Sequence, residues 1–422
     1  MAELNTKSLE AVAGIDIAKQ IFNVYIIVPI IRRKRIHQQS QYRTYKRDQK
    51  GVSEAIEFCK QFNVKQVVME STSVYHIFVA NSFRAQNIIA YIINSGLIRT
   101  ALKKPKRDKL DARRLAELLI RGDLSAGGDL HPSYLAESVI ETDLKKLCRL
   151  QDKVTDEQTR IKNRIHKIFD ASCLNLRKIV SKFDSKTMDI ILDSVFKREN
   201  AENFLKRINR KKTMKQHQKD KLKAKLYKGS DLSEFFNNSC INISEVDLLM
   251  LETLVKQYKD LSNSINQFQV EIDTLLMNLT PELETRYLIA KSLPGIGEVL
   301  GIRIMVEFGD LSRFNNRRQV SSYTGLEPHV MSSGGKAQVR GITKSGNKHL
   351  RKHLFVAAMT ASRTNKKYRS YYEKLRYRGR KKNQALCAIA RKLAVQYYFL
   401  VRKNIYYKID EDKMRYHHIE DW

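Results

Sequence analysis

Cysteine is sparse and scattered in this chain. The five thiols, Cys59, Cys148, Cys173, Cys240 and Cys387, lie far apart and form no C-x-x-C pair. That excludes a zinc ribbon or a disulfide framework and leaves isolated packed thiols. Long apolar runs are missing too. No uninterrupted span reaches the roughly 18 residues of a membrane-spanning helix, and the opening MAELNTKSLE is polar, unlike a secretory signal. The expectation is a soluble, cytoplasmic protein with no membrane partner. Acidic residues are the third shortage: 45 Asp and Glu against 78 Lys and Arg give a formal net charge of +33. An excess of that size favours polyanions through counterion release and speeds encounter with them. Charge alone does not separate nucleic acid from an anionic membrane surface.

The chain has 422 residues, 42% of them hydrophobic, enough for two or three domains at roughly 100–200 residues each. Within the first third, residues 11–17 and 21–28 read as a β-hairpin and 35–45 as a third strand. A helix is expected over 48–62, a strand over 65–69, a helix over 74–85, a strand over 87–93 and a helix over 110–120. This order of elements is the layout of the ribonuclease-H-like fold.

Four of the scarce acids fall at telling places in it. Asp16 stands at the end of the first apolar run and Glu70 at the end of another, while Asp108 and Asp111 open a helical stretch behind a basic run. Carboxylates from separate elements can converge on Mg²⁺, which takes hard oxygen ligands and keeps waters and a substrate phosphate. Asp108 and Asp111, three apart, share one helix face, and a bound cation would offset their repulsion. Two divalent ions about 4 Å apart could activate an attacking oxygen and stabilise a leaving one. Taken alone, K-R-D-K-L-D-A-R-R also fits a charged, solvated helix face. Asp16, flanked by apolar residues in a central strand, is harder to dismiss, because a buried strand acid needs a partner.

In the middle, Leu147, Val154, Ile161 and Ile168 recur every seven residues, Leu144 and Ile165 take the companion position, and Gln151 and Gln158 sit between them. A second run joins Leu248, Leu251, Val255, Tyr258, Leu261, Ile265, Phe268, Ile272 and Leu275 in steps of three or four. Both a coiled coil with polar register positions and a plain helical hairpin fit. Between them, residues 206–228 carry eleven Lys or Arg and one acid, Asp220, with no aromatic before Tyr227. Such a block is ordinarily solvated and becomes a contact surface beside a polyphosphate.

In the last third, L-P-G-I-G-E (293–298) reads as a helix–hairpin–helix turn. Its glycines, Gly295 and Gly297, would let the backbone approach a phosphate at the start of the next helix. G-L-E-P-H-V-M-S-S-G-G-K (325–336) follows, then V-R-G-I-T-K-S-G-N-K-H-L-R-K-H-L (339–354). A serine nucleophile needs activation, and no His–Asp constellation is evident. His349 and His353 are four apart on a basic helix with no acid or cysteine beside them, which fits packing or phosphate contact better than a metal.

Together the motifs resemble the DEDD transposases of insertion-sequence family 110, including its 1111 subgroup. The resemblance rests on G-I-D-I-A-K (14–19), M-E-S-T-S-V-Y (69–75), Asn94, K-R-D-K-L-D-A-R (106–113) and the two C-terminal motifs. The segments 365–379 and 388–393 add to it. It departs where Ser73 replaces a frequent Gly and Ser95 a frequent Pro, and it passes over residues 176–245. The resemblance implies a RuvC-like domain over 1–130, a helical coiled-coil linker over 131–280 with a basic insertion at about 176–245, and a mainly α transposase domain over 281–422. It further implies that Asp16, Glu70, Asp108 and Asp111 bind Mg²⁺. Ser333, or its neighbour Ser332, would attack DNA and store the phosphoester. Lys344, Asn347 and Arg351 would be expected to contact phosphates. DNA, a structured noncoding guide RNA and further copies of the chain, as dimer or tetramer, are the implied partners, in a nucleoid-associated setting. Two alternatives stay open on the residues alone: a RuvC-like junction resolvase or nuclease using water, and a non-catalytic nucleic-acid-binding protein.

Overall fold

The computed structural model describes residues 10–32, 35–71, 74–93, 108–120, 139–172, 174–180, 183–210, 214–226, 230–239, 243–333, 336–344 and 346–407. Asn94, Ser95, Lys106, Arg107, Ser73, Gly334 and Gly335, all named above, lie outside them. The chain divides into two compact units, one of Met1–Lys145 with Asn278–Trp422 and one of Lys146–Met277.

The first unit opens with β1 (Val12–Ile17), β2 (Ile21–Arg32) and β3 (Arg35–Lys46), then α1 (Gln49–Gln61), β4 (Gln66–Glu70), α2 (Tyr75–Ala85), β5 (Ile89–Ile93) and α3 (Asp108–Ile120). Asp48 caps α1 by accepting from the Gly51 amide, which satisfies one of the donors a helix start leaves open. The five strands run in the order β3-β2-β1-β4-β5. β1 pairs antiparallel with β2, β2 antiparallel with β3, and β1 and β5 each pair parallel with β4. This mixed sheet is consistent with the nuclease-like layout expected from the sequence; β2 runs four residues longer than its apolar pattern suggested.

Strand side chains alternate between faces, and both faces are buried here. Ala13, Ile15, Ile17 and Met69 pack with Val52, Ala55, Ile56 and Phe58 of α1 and Val79, Ala80 and Phe83 of α2. On the opposite face Val12, Tyr25 and Ile27 pack with Ala112 and Ala116 of α3, and Val68 and Ile93 with Leu115 and Leu118.

The rest of this unit is mostly helical. It comprises α11 (Pro281–Ser292), α12 (Glu298–Phe308), α13 (Arg317–Thr324), a hairpin of β6 (Pro328–Ser333) and β7 (Lys336–Ile342), then α14 (Lys348–Thr364), α15 (Lys366–Tyr377) and α16 (Lys382–Lys403). Its core joins Ile289, Phe308, Phe314, Leu354, Leu393, Tyr397 and Tyr398. Arg286 is 5% exposed and Glu141 3%. The guanidinium donates to Glu141 Oε1 at 2.8 Å and to the Gly309 carbonyl, so this buried charge is paired.

The second unit holds most of α4 (Val139–Ala171) and all of α10 (Glu245–Met277), with α5 (Leu176–Ile179), α6 (Lys186–Phe196), α7 (Ala201–Arg210), α8 (Gln216–Lys223) and α9 (Asp231–Glu234) between them. The two long helices pair with each other inside the chain. Gln151 Nε2 donates to the Ile265 carbonyl (3.2 Å) and Gln269 Oε1 (3.1 Å), and Gln158 Nε2 to Ser262 Oγ (2.6 Å). As one helix ascends the other descends, so the arrangement is an antiparallel helical hairpin. The basic stretch between them is folded rather than a loose solvated block: Phe204, Ile208, Met214 and Leu222 enter a core with Ile161, Ile165, Leu251 and Val255. Its few apolar residues anchor it, while Lys206, Arg210, Lys215 and Lys221 are exposed.

Candidate functional site

β1 and β4 run side by side in parallel, and their last register pair is Ile15 with Met69. The next residue on each strand is an acid, Asp16 and Glu70, so both carboxylates emerge at the carboxyl ends of neighbouring strands. Alternation from Val12 and Val68 puts both on the face that α3 covers. Both are partly exposed.

Gly14, two residues before Asp16 and on its face, decides how close α3 comes. A Cβ there would lie 2.0 Å from the Ala112 carbonyl oxygen and 2.5 Å from the Ala116 amide. Helix backbone therefore occupies the space of a side chain. The turn seated on Gly14 directly follows Asp108, which opens α3, and Asp111. The Asp111 carboxylate accepts from Arg114 Nη1 at 3.0 Å, with the two side chains 23% and 17% exposed.

Among the described residues no group of three or more His, Cys, Asp or Glu side chains is gathered tightly enough to hold a metal ion. The donor chemistry nonetheless fits a divalent cation. Asp16, Glu70 and Asp111 offer carboxylate oxygens, the hard donors Mg²⁺ takes, and the glycine cradle seats the helix that carries Asp111 against the strand that carries Asp16.

In the helical part, Ser332 and Ser333 lie on β6 rather than in a loop, paired with Ala337 and Lys336 at the tip of the hairpin. The segment that follows is built on tight backbone contacts. Asn347 caps α14, accepting from the His349 and Leu350 amides at 3.0 and 3.1 Å. Its Nδ2 donates to Glu307 Oε2 at 2.7 Å, and Glu307 is 1% exposed. Arg351 Nη1 donates to the Thr324 carbonyl at 3.0 Å, and a Cβ on Gly325 (φ +64°) would lie 2.5 Å from that nitrogen. Asn347 and Arg351 thus brace this turn, whereas Lys344 is exposed at a left-handed φ of 56°. Burial works to raise the Tyr323 phenol, but Arg313, Lys145 and the Asn347 hydrogen bond outweigh it and hold its pKa below the usual tyrosine value.

The two glycines of the 293–297 turn differ in role. Gly295 (φ +80°) packs on α14, where a Cβ would meet the Ala357 carbonyl oxygen at 2.4 Å. Gly297, the residue capping α12, has open space around it.

Two family models match this chain. One, described as a transposase and named for the DEDD transposases of IS110, matches residues 13–173; the other, the transposase IS116/IS110/IS902 family, matches residues 288–373. Between them they take in the strands bearing Asp16 and Glu70, all of α3, and the β6–β7 hairpin. The chain belongs to the IS110 family of transposases. The pilin gene-inverting protein of Moraxella bovis is 34% identical over 161 residues, 36% of this chain and 50% of that protein. The transposase for insertion sequence element IS1111A of Coxiella burnetii is 22% identical over 404 residues, 94% of this chain and 91% of its own length. The chain thus spans about half the length of the pilin gene-inverting proteins it matches and nearly all of the IS1111A transposase.

Three residues of this family member carry structural roles that sequence reasoning passed over. Gly14 was read only as part of a motif, although a glycine two before a strand acid shares the acid's face. Glu307 is a buried acid within an apolar helix, E-V-L-G-I-R-I-M-V-E-F, and that isolation was its signal. Asn23 interrupts the apolar run of β2, I-F-N-V-Y-I-I-V, and is 4% exposed.

Proposed function

We propose that this chain is a DNA transposase that cuts and rejoins the strands of a mobile element at a site built from Asp16, Glu70, Asp108, Asp111 and Ser333. What supports this most directly is the adjacency of Asp16 and Glu70 at neighbouring strand ends, on the face covered by the helix bearing Asp108 and Asp111. The four acids would hold Mg²⁺ against the scissile phosphate. When bound, the ion supplies charge neutralisation on the phosphate and a lowered pKa for the attacking oxygen.

The chain's own groups do the rest. Ser333 Oγ loses its proton and attacks phosphorus; a serine–phosphate ester forms as the P–O bond to one deoxyribose breaks and that oxygen leaves as a hydroxyl. A hydroxyl from the strand to be joined then attacks the ester, restoring a phosphodiester and the serine. The ester conserves the bond energy, so joining needs no external source, in contrast to hydrolysis. The 293–297 turn would act as a helix–hairpin–helix grip on a phosphate through Gly297, and Lys344 would meet the backbone; Asn347 and Arg351 would shape the turn that presents it. The charge of +33 suits DNA together with a structured noncoding guide RNA. Assembly as a dimer or tetramer through the helical arm would let acids and serine from different copies meet.

The test is a trap for covalent protein–DNA adduct on the element's own flanking DNA with its RNA and Mg²⁺. Wild type should give an adduct that Ser333→Ala and Asp16→Ala abolish. Loss with Ser332→Ala instead would move the nucleophile by one residue, and cleavage without adduct would overturn the serine mechanism.

A further inference from the structure

We propose that Asn23 is a positioning residue for Asp16, an assignment that rests on the metal-site reading above. β2 lies between β1 and β3, and Asn23 faces Asp16 in register on one side and Thr44 on the other. Paired residues project to the same face of a sheet, so the Asn23 and Asp16 side chains stand together beneath α3. Asn23 is 4% exposed, unusual burial for an amide in a strand whose neighbours are apolar.

The amide is oriented by two bonds. Tyr42 Oη and Thr44 Oγ1, both on β3, donate to Asn23 Oδ1 at 2.9 and 2.7 Å. In the structure both β3 hydroxyls donate to Oδ1, so the amide oxygen is the end that faces β3. With the oxygen held toward β3, the Nδ2 donors are turned toward β1, where Asp16 is the side chain in register. An Nδ2–H···O bond from there to the Asp16 carboxylate would take one of its lone pairs and set its rotation, leaving the remaining oxygen directions for a cation. The chain Tyr42 and Thr44 to Asn23 to Asp16 is thus an outer-shell support of the kind whose loss weakens metal affinity by about 10–100-fold.

The experiment is a titration of the full chain with Mn²⁺ as the probe for the Mg²⁺ site, counting free Mn²⁺ by electron paramagnetic resonance, with circular dichroism to confirm folding. Asn23→Leu keeps the branched shape and removes the amide; it should weaken Mn²⁺ binding by about 10–100-fold. Tyr42→Phe and Thr44→Val, on the less buried β3, should each weaken it by a smaller factor and together approach Asn23→Leu. A merely packing role for Asn23 would leave the affinity of the two β3 variants at the wild-type value. Should Asn23→Leu fail to fold, the β3 pair decides alone. Wild-type affinity in folded Asn23→Leu, with loss in Asp16→Ala, overturns the Asn23 assignment and leaves the metal reading standing. Mn²⁺ binding that Asp16→Ala does not weaken overturns the metal reading, and the Asn23 assignment with it.

Discussion

Replacing Gly14 with alanine isolates the contact that seats α3 against β1, on which the geometry of the proposed site depends. The new Cβ would sit 2.0 Å from the Ala112 carbonyl oxygen and 2.5 Å from the Ala116 amide. Both are backbone atoms of α3 with no rotamer to yield, so the helix must withdraw from β1 by about 1 Å or more to reach ordinary contact distance. Overpacking of this kind costs about 1–3 kcal/mol. The functional cost should be larger, because the helix that retreats carries Asp108 and Asp111, and misplacement by about 1 Å can lower a rate about 100-fold. Gly51→Ala is the matched control. Its Cβ would meet the Lys46 carbonyl oxygen at 2.1 Å, but Gly51 lies in α1, on the face of the sheet away from the acids. Thermal unfolding should show comparable destabilisation in the two variants. Mg²⁺-dependent strand cleavage and joining, expressed per folded molecule, should fall about 100-fold for Gly14→Ala and stay near wild type for Gly51→Ala. Equal activity in the two folded variants would refute the reasoning, since the cradle would then be a packing detail unconnected to the acids.

Arg286→Ala should cost about 3–5 kcal/mol in thermal or denaturant unfolding, because it removes one partner of a buried ion pair with Glu141; a loss no larger than that of an exposed ion pair would refute that role. Asn347→Ala should lower stability by about 1–2 kcal/mol through loss of the α14 cap. Lys344→Ala should leave stability unchanged and reduce the salt dependence of DNA binding by about one phosphate contact, and the reverse pattern would exchange their roles. Burial first, then Arg391 and Lys367, push the Lys392 ammonium down to about 8. A depressed lysine opposes folding below that pH, and the penalty fades as pH rises from about 8 toward the unfolded lysine value near 10.4. Lys392→Met should therefore be more stable than wild type at pH 7, with the gain shrinking by pH 10; a gain that grows with pH would refute the shift.

The N-terminal sheet was legible because its elements are local. Apolar alternation, the helical spacing over 48–62 and the return to strand character at 65–69 each announce themselves within a few positions, so seven expected elements and an eighth helix emerge in order. Residues 206–228 were misleading for the opposite reason. Eleven cations in 23 positions dominate any local reading, and the anchors Ile208, Met214 and Leu222, with Phe204 just before them, gain meaning only from α4 and α10, far away in the chain. The heptad step of 147–168 was real, yet it could not say whether the partner helix belonged to the same chain. Gln151 and Gln158 answer that for the structure in hand by bonding to α10 of their own chain.

The candidate site shows where local reading stops. Asp16 and Glu70 end apolar runs, which is visible in one dimension, and Asp108 and Asp111 share a helix face by spacing alone. What lets the helix bearing Asp108 and Asp111 lie against the strand bearing Asp16 is a residue with no side chain. Gly14 has a negative-φ strand conformation that any residue could adopt, so backbone freedom does not explain it; only the crossing of α3 does. The same holds for Asn23, whose amide is set by hydroxyls 19 and 21 residues away across β3. The proposed ligands are written in the sequence as acids, whereas the groups proposed to aim them are written as a missing methyl and a buried amide. Mutations that spare every acid should therefore still disable the site, and Gly14 and Asn23 are where the strand pairing places that vulnerability.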